Sequence, residues 1–427
     1  MPLPVALRAL HSRNYRLFVS GQLVSLIGTW MQMVAQAWLI YRLTGSAALL
    51  GLVGFASQIP VFVLAPLGGV IADRASRHRV LLTTQSSMML LAFTLAGLTL
   101  GHYVQVWHIF ALASLLGVTN AFDIPARQAF LVEMVDRDDI VNAIALNSSM
   151  LNGARVVGPG VAGVLVASVG EGWCFLLNAI SYIAVIGALS MMHVRPKARG
   201  DAPVSAWESV VEGFVYSWRT KPVRALLLLL GLVSIMGMPY SVLMPIIADR
   251  VLHGGPNAYG LLLSASGAGA LAGAVTLTTR RHIRGLGRWV AFSASGFGVA
   301  LIAFSFSRTL WTSALLLVPA GFFMMIEMAA SNTLIQSMIP DRLRGRVMSV
   351  YSMMFMGMAP LGALGAGLAA APLGAPLTVA IGGAVCLAGG LTFGAGLPAL
   401  RGPARELIVA QQVTAGAPPD EATRLRE

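Results

Sequence analysis

The chain has 427 residues, of which 56% are hydrophobic and 11% charged, and its mean hydropathy is +0.76. A soluble domain carries about 25% charged residues, so this composition argues against a soluble enzyme and excludes a disordered or collagen-like chain. The net charge of +12 would indicate nucleic-acid binding in a soluble protein, whereas a polytopic membrane protein concentrates such charge in its cytoplasmic loops.

About twelve stretches are apolar enough to cross a bilayer, which takes about 20 residues. They cover residues 17–41, 47–71, 80–100, 104–131, 143–168, 173–193, 224–248, 258–278, 289–307, 310–335, 347–370 and 376–398. The first stretch is too long for the apolar region of a signal peptide, and a second span follows at once, so we expect no cleavage. The predicted fold is an all-α membrane protein.

The basic residues predict the orientation of these spans. If the N-terminus is cytoplasmic, 24 of the 29 lysines and arginines fall on the cytoplasmic side. Arg42, Arg250 and Arg308 fall on the opposite side. This bias predicts that both termini are cytoplasmic, and it explains the basic charge without nucleic acid.

A long polar segment separates spans six and seven and predicts four regions: residues 1–193, a linker at 194–222, residues 223–400, and a disordered cytoplasmic tail at 401–427. Within the linker, Ser205 and Glu208 form a capping-box pattern. Apolar residues then recur on one helical face: Trp207, Val211, Phe214, Val215 and Trp218. This pattern predicts either an interfacial helix or a packing strap between the halves.

The two halves repeat in sequence. Gly28 matches Gly237 and Ser57 matches Ser266 at one offset, and Gly158 matches Gly362 at a second, slightly shorter one. Six spans followed by six in the same orientation form a parallel repeat, and transporters of this kind bind substrate near the midplane between the halves. The alternative is chance similarity between apolar helices.

The loop between spans two and three combines an acid with several cations: Gly69, Asp73, Arg74, Arg77 and Arg79. A carboxylate at a span end, followed by clustered cations, can latch a neighbouring helix through charge-assisted hydrogen bonds. Alternatively, the cations only set topology. The loop resembles the signature loop of the major facilitator superfamily, with Ser76 and His78 as departures. The second-half loop keeps Arg280, Arg281 and Arg284 but lacks the aspartate.

Span five contains Ala154, Gly158, Pro159, Ala162 and Gly163. Proline kinks a helix and small residues allow close helix contact, which could be simple packing. The pattern also resembles the antiporter motif of the superfamily's exporters, which favours export. The runs at 120–130, 142–149 and 340–347 resemble the branch of drug and siderophore exporters that includes enterobactin and macrolide efflux proteins.

Four charged residues fall inside predicted spans: Asp123, Arg127, Arg155 and Glu327. A charge at mid-bilayer costs about 2.5–3.5 kcal/mol on insertion scales, so such residues usually serve a function. Asp123 and Glu327 are related by the repeat. They are the proton-coupling candidates, and Arg155 either holds one acid deprotonated or receives an anionic substrate. The alternative is a static ion pair, and we interpret Arg127 as structural.

Polar, aromatic and methionine side chains inside the spans are the candidates for the substrate cavity, because methionine suits adaptable apolar sites. They are Trp30, Gln32, Gln36, Gln58, Tyr240, Met324, Met328, Asn332 and Gln336. The methionines could equally be packing filler or face lipid.

No phosphate-binding loop, catalytic motif or metal-ligand spacing is visible in the sequence. We therefore expect no enzyme activity, no cofactor and no metal. The resemblance implies two six-helix bundles in the cell inner membrane that act as a monomer and export a small, amphipathic molecule, drug- or siderophore-like, by proton antiport. An importer of the same superfamily, a non-transporting receptor, and a lipid-handling protein or membrane enzyme remain as alternatives.

Overall fold

The computed structural model describes residues 5–192, 206–279 and 285–414, and in these ranges the regular structure is helical. The helices are α1 (Arg13–Thr44), α2 (Ala47–Arg74), α3 (Arg77–Leu100), α4 (Val106–Glu133), α5 (Ile140–Ser168), α6 (Glu171–Ser190), α7 (Ala206–Arg219), α8 (Lys221–Leu232), α9 (Tyr240–Ile246), α10 (Gly255–Thr278), α11 (Leu286–Phe306), α12 (Leu310–Met338), α13 (Asp341–Ser352), α14 (Met358–Leu373) and α15 (Ala375–Thr414). Short 3-10 turns cover Val5–His11 and Arg137–Asp139, and π-helical turns cover Val233–Gly237, Ile247–Val251 and Met353–Gly357.

Twelve helices in the described residues are long and apolar enough to cross a membrane, which confirms the predicted fold class. Span seven covers Lys221–Val251 and span eleven covers Asp341–Leu373, and each contains π-helical turns between its α-helical segments. Large apolar side chains remain exposed on the helix surfaces, for example Leu90 at 62% and Leu315 at 73%. Apolar surface of this kind matches lipid as the surrounding solvent.

Side-chain caps and one glycine fix the turn between the first two spans. Ser46 Oγ accepts a hydrogen bond from the backbone N–H of Leu49 and starts α2. Gly45 ends α1 with φ +60°, a left-handed conformation that glycine adopts without steric cost. The turn is therefore tight, and α2 begins at Ala47, two residues after Gly45.

The chain divides into two compact units. The first contains Met1–Ala202 and Met244–Ser264, and the second contains Pro203–Leu243 and Ala265–Glu427. Residues 244–264 lie within the predicted second bundle but group with the first unit. Their side chains explain this grouping, since Tyr259 stacks on Trp38 with 6.2 Å between ring centroids.

Both units are built around an equivalent helix crossing. Gly117 on α4 faces the backbone oxygen of Ser57 on α2, and Gly321 on α12 faces that of Ser266 on α10, so closely that an added Cβ would overlap each oxygen. The serines and the glycines occupy repeat-related positions in the sequence. Small residues allow such close approach of helices in lipid. The sequence repeat therefore has a counterpart in the packing of each unit.

The end of the chain differs from its prediction. We expected a disordered tail from residue 401, but α15 continues to Thr414. Residues 404–413 contain helix-favouring side chains and no glycine or proline, so the helix can extend beyond Pro403. The linker before Ala206, with Ser205, the cations Arg280, Arg281 and Arg284, and the tail beyond Thr414 lie outside the described residues.

Candidate functional site

The buried acid of the first unit is held by polar neighbours. Asp123 lies on α4 and is 1% exposed. Its Oδ1 accepts hydrogen bonds from Thr84 Oγ1 and Gln85 Nε2, both at 2.8 Å. Its Oδ2 lies 3.3 Å from a guanidinium nitrogen of Arg127, one helical turn further on. The carboxylate charge is thus compensated by Arg127 within the unit.

The repeat-related acid of the second unit lies in a different environment. Glu327 on α12 is also 1% exposed. Its Oε1 accepts a hydrogen bond from Ser331 Oγ at 3.3 Å. Among the residues that the structure describes, no basic side chain forms an ion pair with it. Burying an ionised carboxylate without a cation is costly, so this environment favours the protonated acid.

Polar side chains continue along α12 from this acid. Gln336 Nε2 donates to Asn332 Oδ1 at 2.6 Å. The hydroxyl of Tyr351 on α13 donates to the backbone oxygen of Met328 at 3.0 Å. Glu327 is therefore followed by a row of hydrogen-bonding groups on one helix. Of the remaining candidates, Met324 is buried at 4% exposure.

Arg155 on α5 lies against an aromatic ring of α1. Its guanidinium carbon is 5.7 Å from the ring centroid of Trp30, a cation–π distance. Gly158 makes this approach possible, because an added Cβ would lie 3.0 Å from the backbone oxygen of Ile27 and even closer to Trp30. Gly158, which belongs to the predicted kink, is thus a contact point between α1 and α5.

The other side of α5 contacts α10. A Cβ on Gly163 would lie 2.9 Å from the backbone oxygen of Pro256 and 3.0 Å from Cα of Gly260. Ser264 Oγ donates to the backbone oxygen of Val156 at 2.8 Å. Pro159, between these contacts, is buried inside the helix. The antiporter-like segment of α5 is therefore a close-packed element with helices on two sides.

Three cavity candidates on α1 and α2 differ in exposure. Gln32 is buried at 7% exposure and accepts a hydrogen bond from Asn178 Nδ2 at 2.6 Å. Gln36 is half-buried, and Gln58 is exposed. The sequence did not indicate a role for Asn178 on α6, since a single asparagine in an apolar span has no distinguishing pattern.

Tyr240 lies in the second unit. Its hydroxyl is 2.6 Å from Ser266 Oγ, and its ring packs edge-on against Phe297. It lines a small crevice with Met236, Pro239, Leu243, Ala366 and Thr378. This crevice is mostly apolar.

Arg77, at the start of α3 just after the loop that follows α2, forms an ion pair that the sequence did not indicate. Arg77 Nη1 lies 2.6 Å from Glu133 Oε1 at the end of α4, and Arg77 Nε donates to the backbone oxygen of Ala72. Arg74 and Arg79 are exposed. The side chain of Asp73 lies outside the described residues.

Two neighbouring glycines at the end of α2, Gly68 and Gly69, differ in their surroundings. An added Cβ on Gly68 would overlap the backbone oxygen of Ala121 on α4, while one on Gly69 would meet open space. Packing within this unit therefore does not explain why the loop motif has a glycine at position 69.

A second polar cluster lies at the opposite ends of the spans. Tyr41 donates to Asp249 Oδ2 at 2.6 Å. Arg250 lies over the Tyr41 ring at 5.8 Å and donates to the backbone oxygen of Gly45 at 3.0 Å. These contacts attach residues 244–264 to the end of α1 within the first unit.

We expect Tyr41→Phe to loosen this attachment, because it removes a hydrogen bond to a charged group worth about 1.5–3 kcal/mol. A cysteine in place of buried Ala248 should then react with a membrane-impermeant maleimide about tenfold faster. Tyr103→Phe, at a tyrosine that is 76% exposed, is the matched control and should leave the rate unchanged. An unchanged rate in Tyr41→Phe would show that the bond does not hold the segment.

Within the described residues, no group of histidine, cysteine, aspartate and glutamate side chains is arranged to hold a metal ion. The two cysteines, Cys174 and Cys386, are buried and unpaired with each other.

Comparison with known proteins identifies relatives over most of the chain. A family model described as "Transmembrane secretion effector" matches residues 5–406. The staphyloferrin A transporter of Staphylococcus aureus is 27% identical over 350 residues, covering 81% of this chain and 87% of its own. The multidrug efflux pump Tap of Mycobacterium tuberculosis is 28% identical over 415 residues, covering 93% and 95%.

Solved structures share the architecture at low identity. The nucleoside transporter NupG has a TM-score of 0.72 at 13% identity, covering 92% of this chain and 99% of its own. A POT family transporter in complex with 5-aminolevulinic acid has a TM-score of 0.74 at 12% identity, covering 91% and 97%. At such identities the likeness concerns the fold alone.

Proposed function

The chain belongs to the major facilitator superfamily, among its transmembrane secretion effectors, and from this premise we propose that it exports small, amphipathic molecules in exchange for protons. The proposed substrates are drug- or siderophore-like. The names of relatives support this class, since they include a staphyloferrin A transporter, a multidrug efflux pump and a macrolide efflux protein.

The single observation that carries the proton-coupled mechanism is the environment of Glu327. Its carboxyl group is buried in a span, with Ser331 as its hydrogen-bond donor. A neutral acid in such a place can lose its proton only when water, a cation or a cationic substrate reaches it. Proton release is thereby tied to the state of the site, and this is the requirement for coupling.

Asp123 is assigned a different role. Its Oδ1 accepts from Thr84 and Gln85, and its charge is paired with Arg127. We therefore assign it to holding α3 against α4, although its position in the repeat equals that of Glu327.

The proposed cycle follows from these roles. Glu327 takes a proton from outside as substrate leaves, and releases it inside as the carrier returns. A membrane potential of 100 mV supplies about 2.3 kcal/mol per charge moved. The proton gradient is then the only energy source required. The proposal also places the chain in the cell inner membrane as a monomer with both termini in the cytoplasm.

The close packing of the antiporter-like segment of α5 supports export rather than import. Gly158 and Gly163 pack it closely against α1 and α10 around Pro159, in the segment that resembles the exporters' antiporter motif. Two of the named relatives are efflux proteins.

Transport in inverted vesicles tests the proposal. Vesicles that contain the protein are energised to an acid interior, and a fluorescent pH indicator follows the gradient as cationic dyes, macrolides or catecholate siderophores are added. We expect at least one class to dissipate the gradient, and the same compound to accumulate inside the vesicles. Accumulation without dissipation would contradict proton antiport. Loss of preloaded compound from the vesicles together with protons would contradict export.

A further inference from the structure

The helix before span seven packs in an unusual orientation. On α7, the side that packs against the rest of its own unit is made of small and polar residues. Gly213 contacts the backbone of Arg346, and Ser217 is 3% exposed. Glu212 forms an ion pair with Arg346, and the hydroxyl of Tyr216 lies 3.4 Å from the backbone oxygen of Met338.

Burial raises the pKa of Tyr216, so its hydroxyl stays protonated and can act as the donor to this carbonyl. The partners of α7 come from the end of α12 and the start of α13, which are span ends. The helix is thus attached to the second unit by polar contacts at the border of the spans.

The apolar side of α7 points away from these contacts. Val211, Phe214, Val215 and Trp218 are between 41% and 52% exposed. The rings of Phe214 and Trp218 stack with 6.1 Å between their centroids. In a water-soluble protein the apolar face of an amphipathic helix packs inward. The reverse arrangement indicates that the exposed face meets lipid.

Basic side chains border this apolar face at one end. Arg219 and Lys221 are exposed, and the guanidinium of Arg224 lies 5.5 Å from the Trp218 ring centroid. Lys221 is also the first residue of a span, so these charges lie where the chain enters the membrane. Phospholipid phosphates occupy that depth, and a cluster of basic residues attracts anionic headgroups there.

We propose that α7 lies in the membrane interface and that Arg219, Lys221 and Arg224, beside Trp218, bind an anionic phospholipid headgroup. The apolar face enters the acyl region while the basic residues hold the phosphate, an arrangement typical of interfacial helices. The site is independent of the transported substrate, and its occupant is a lipid of the leaflet rather than a transported molecule.

The test uses the full chain reconstituted in vesicles. Val215→Cys introduces a reactive thiol for a fluorescent probe, since Cys174 and Cys386 are buried. Vesicles consist of phosphatidylcholine alone or with phosphatidylglycerol, and a phospholipid with a nitroxide at headgroup depth acts as quencher. Gly345→Cys is the control, because an added Cβ there meets open space among the exposed charged residues of α13.

We expect quenching at position 215 that is at least about twofold stronger with phosphatidylglycerol, and weak quenching at 345 in both lipids. Replacing Arg219, Lys221 and Arg224 by glutamine should remove the dependence on phosphatidylglycerol. Equal quenching in both lipids would overturn the headgroup site. Access of aqueous iodide to position 215 without quenching by lipid would overturn the insertion of α7. Competition by soluble glycerol phosphate would identify the site as one for free phosphate instead.

Discussion

Glu327→Gln is expected to abolish proton-coupled transport while leaving the fold intact. Glutamine has the size of the protonated acid and can keep the contact with Ser331 Oγ, but it cannot release a proton. Dissipation of the pH gradient by substrate should therefore fall to the level of vesicles without protein. Substrate binding, measured on the detergent-solubilised protein, should stay within about threefold of wild type.

Asp123→Asn is the matched control for this prediction, because it changes the repeat-related acid. It removes the charge partner of Arg127, which is 25% exposed, so we expect a loss of about 1–3 kcal/mol in stability. The thermal midpoint should drop, whereas transport per folded molecule should persist. If Asp123→Asn abolishes coupling and Glu327→Gln does not, the assignment of roles is reversed.

Gly321→Ala is expected to have the largest effect on folding. An alanine Cβ at this position would overlap the backbone oxygen of Ser266, and neither backbone can move without separating α10 from α12. Overpacking of this kind costs about 1–3 kcal/mol, and the contact extends over several turns. Thermal unfolding followed by size-exclusion chromatography should show a lower midpoint and a smaller monodisperse fraction.

Gly365→Ala separates this steric effect from a general effect of glycine replacement. Gly365 lies inside α14, and an added Cβ there meets nothing within 4 Å. Alanine favours helix more than glycine does, so this variant should be at least as stable as wild type. Equal midpoints for the two variants would show that the α10–α12 crossing is not tightly packed.

The sequence was sufficient to predict features that depend on the length and composition of the apolar stretches. The twelve spans follow from apolar length, and the two buried acids stand out because charge is rare inside such spans. Gly158 was found through its motif, and its contact with α1 gives the physical reason for a small residue there.

Features that depend on distant partners were not predictable. Glu133 pairs with Arg77 across 56 residues, and Asn178 pairs with Gln32 across 146. Each is a single polar residue without a local pattern. The different environments of Asp123 and Glu327 were likewise invisible, because the compensating groups Thr84 and Gln85 lie on another helix.

The grouping of residues 244–264 with the first unit has a consequence for biosynthesis. Chains emerge from the ribosome in order, and an N-terminal half normally completes its fold before the next half follows. Here Trp38, Tyr41 and Gly163 meet their partners only after residues 249–260 have been synthesised. The nascent first half therefore remains in the membrane with these surfaces uncovered until the seventh and eighth spans have been synthesised.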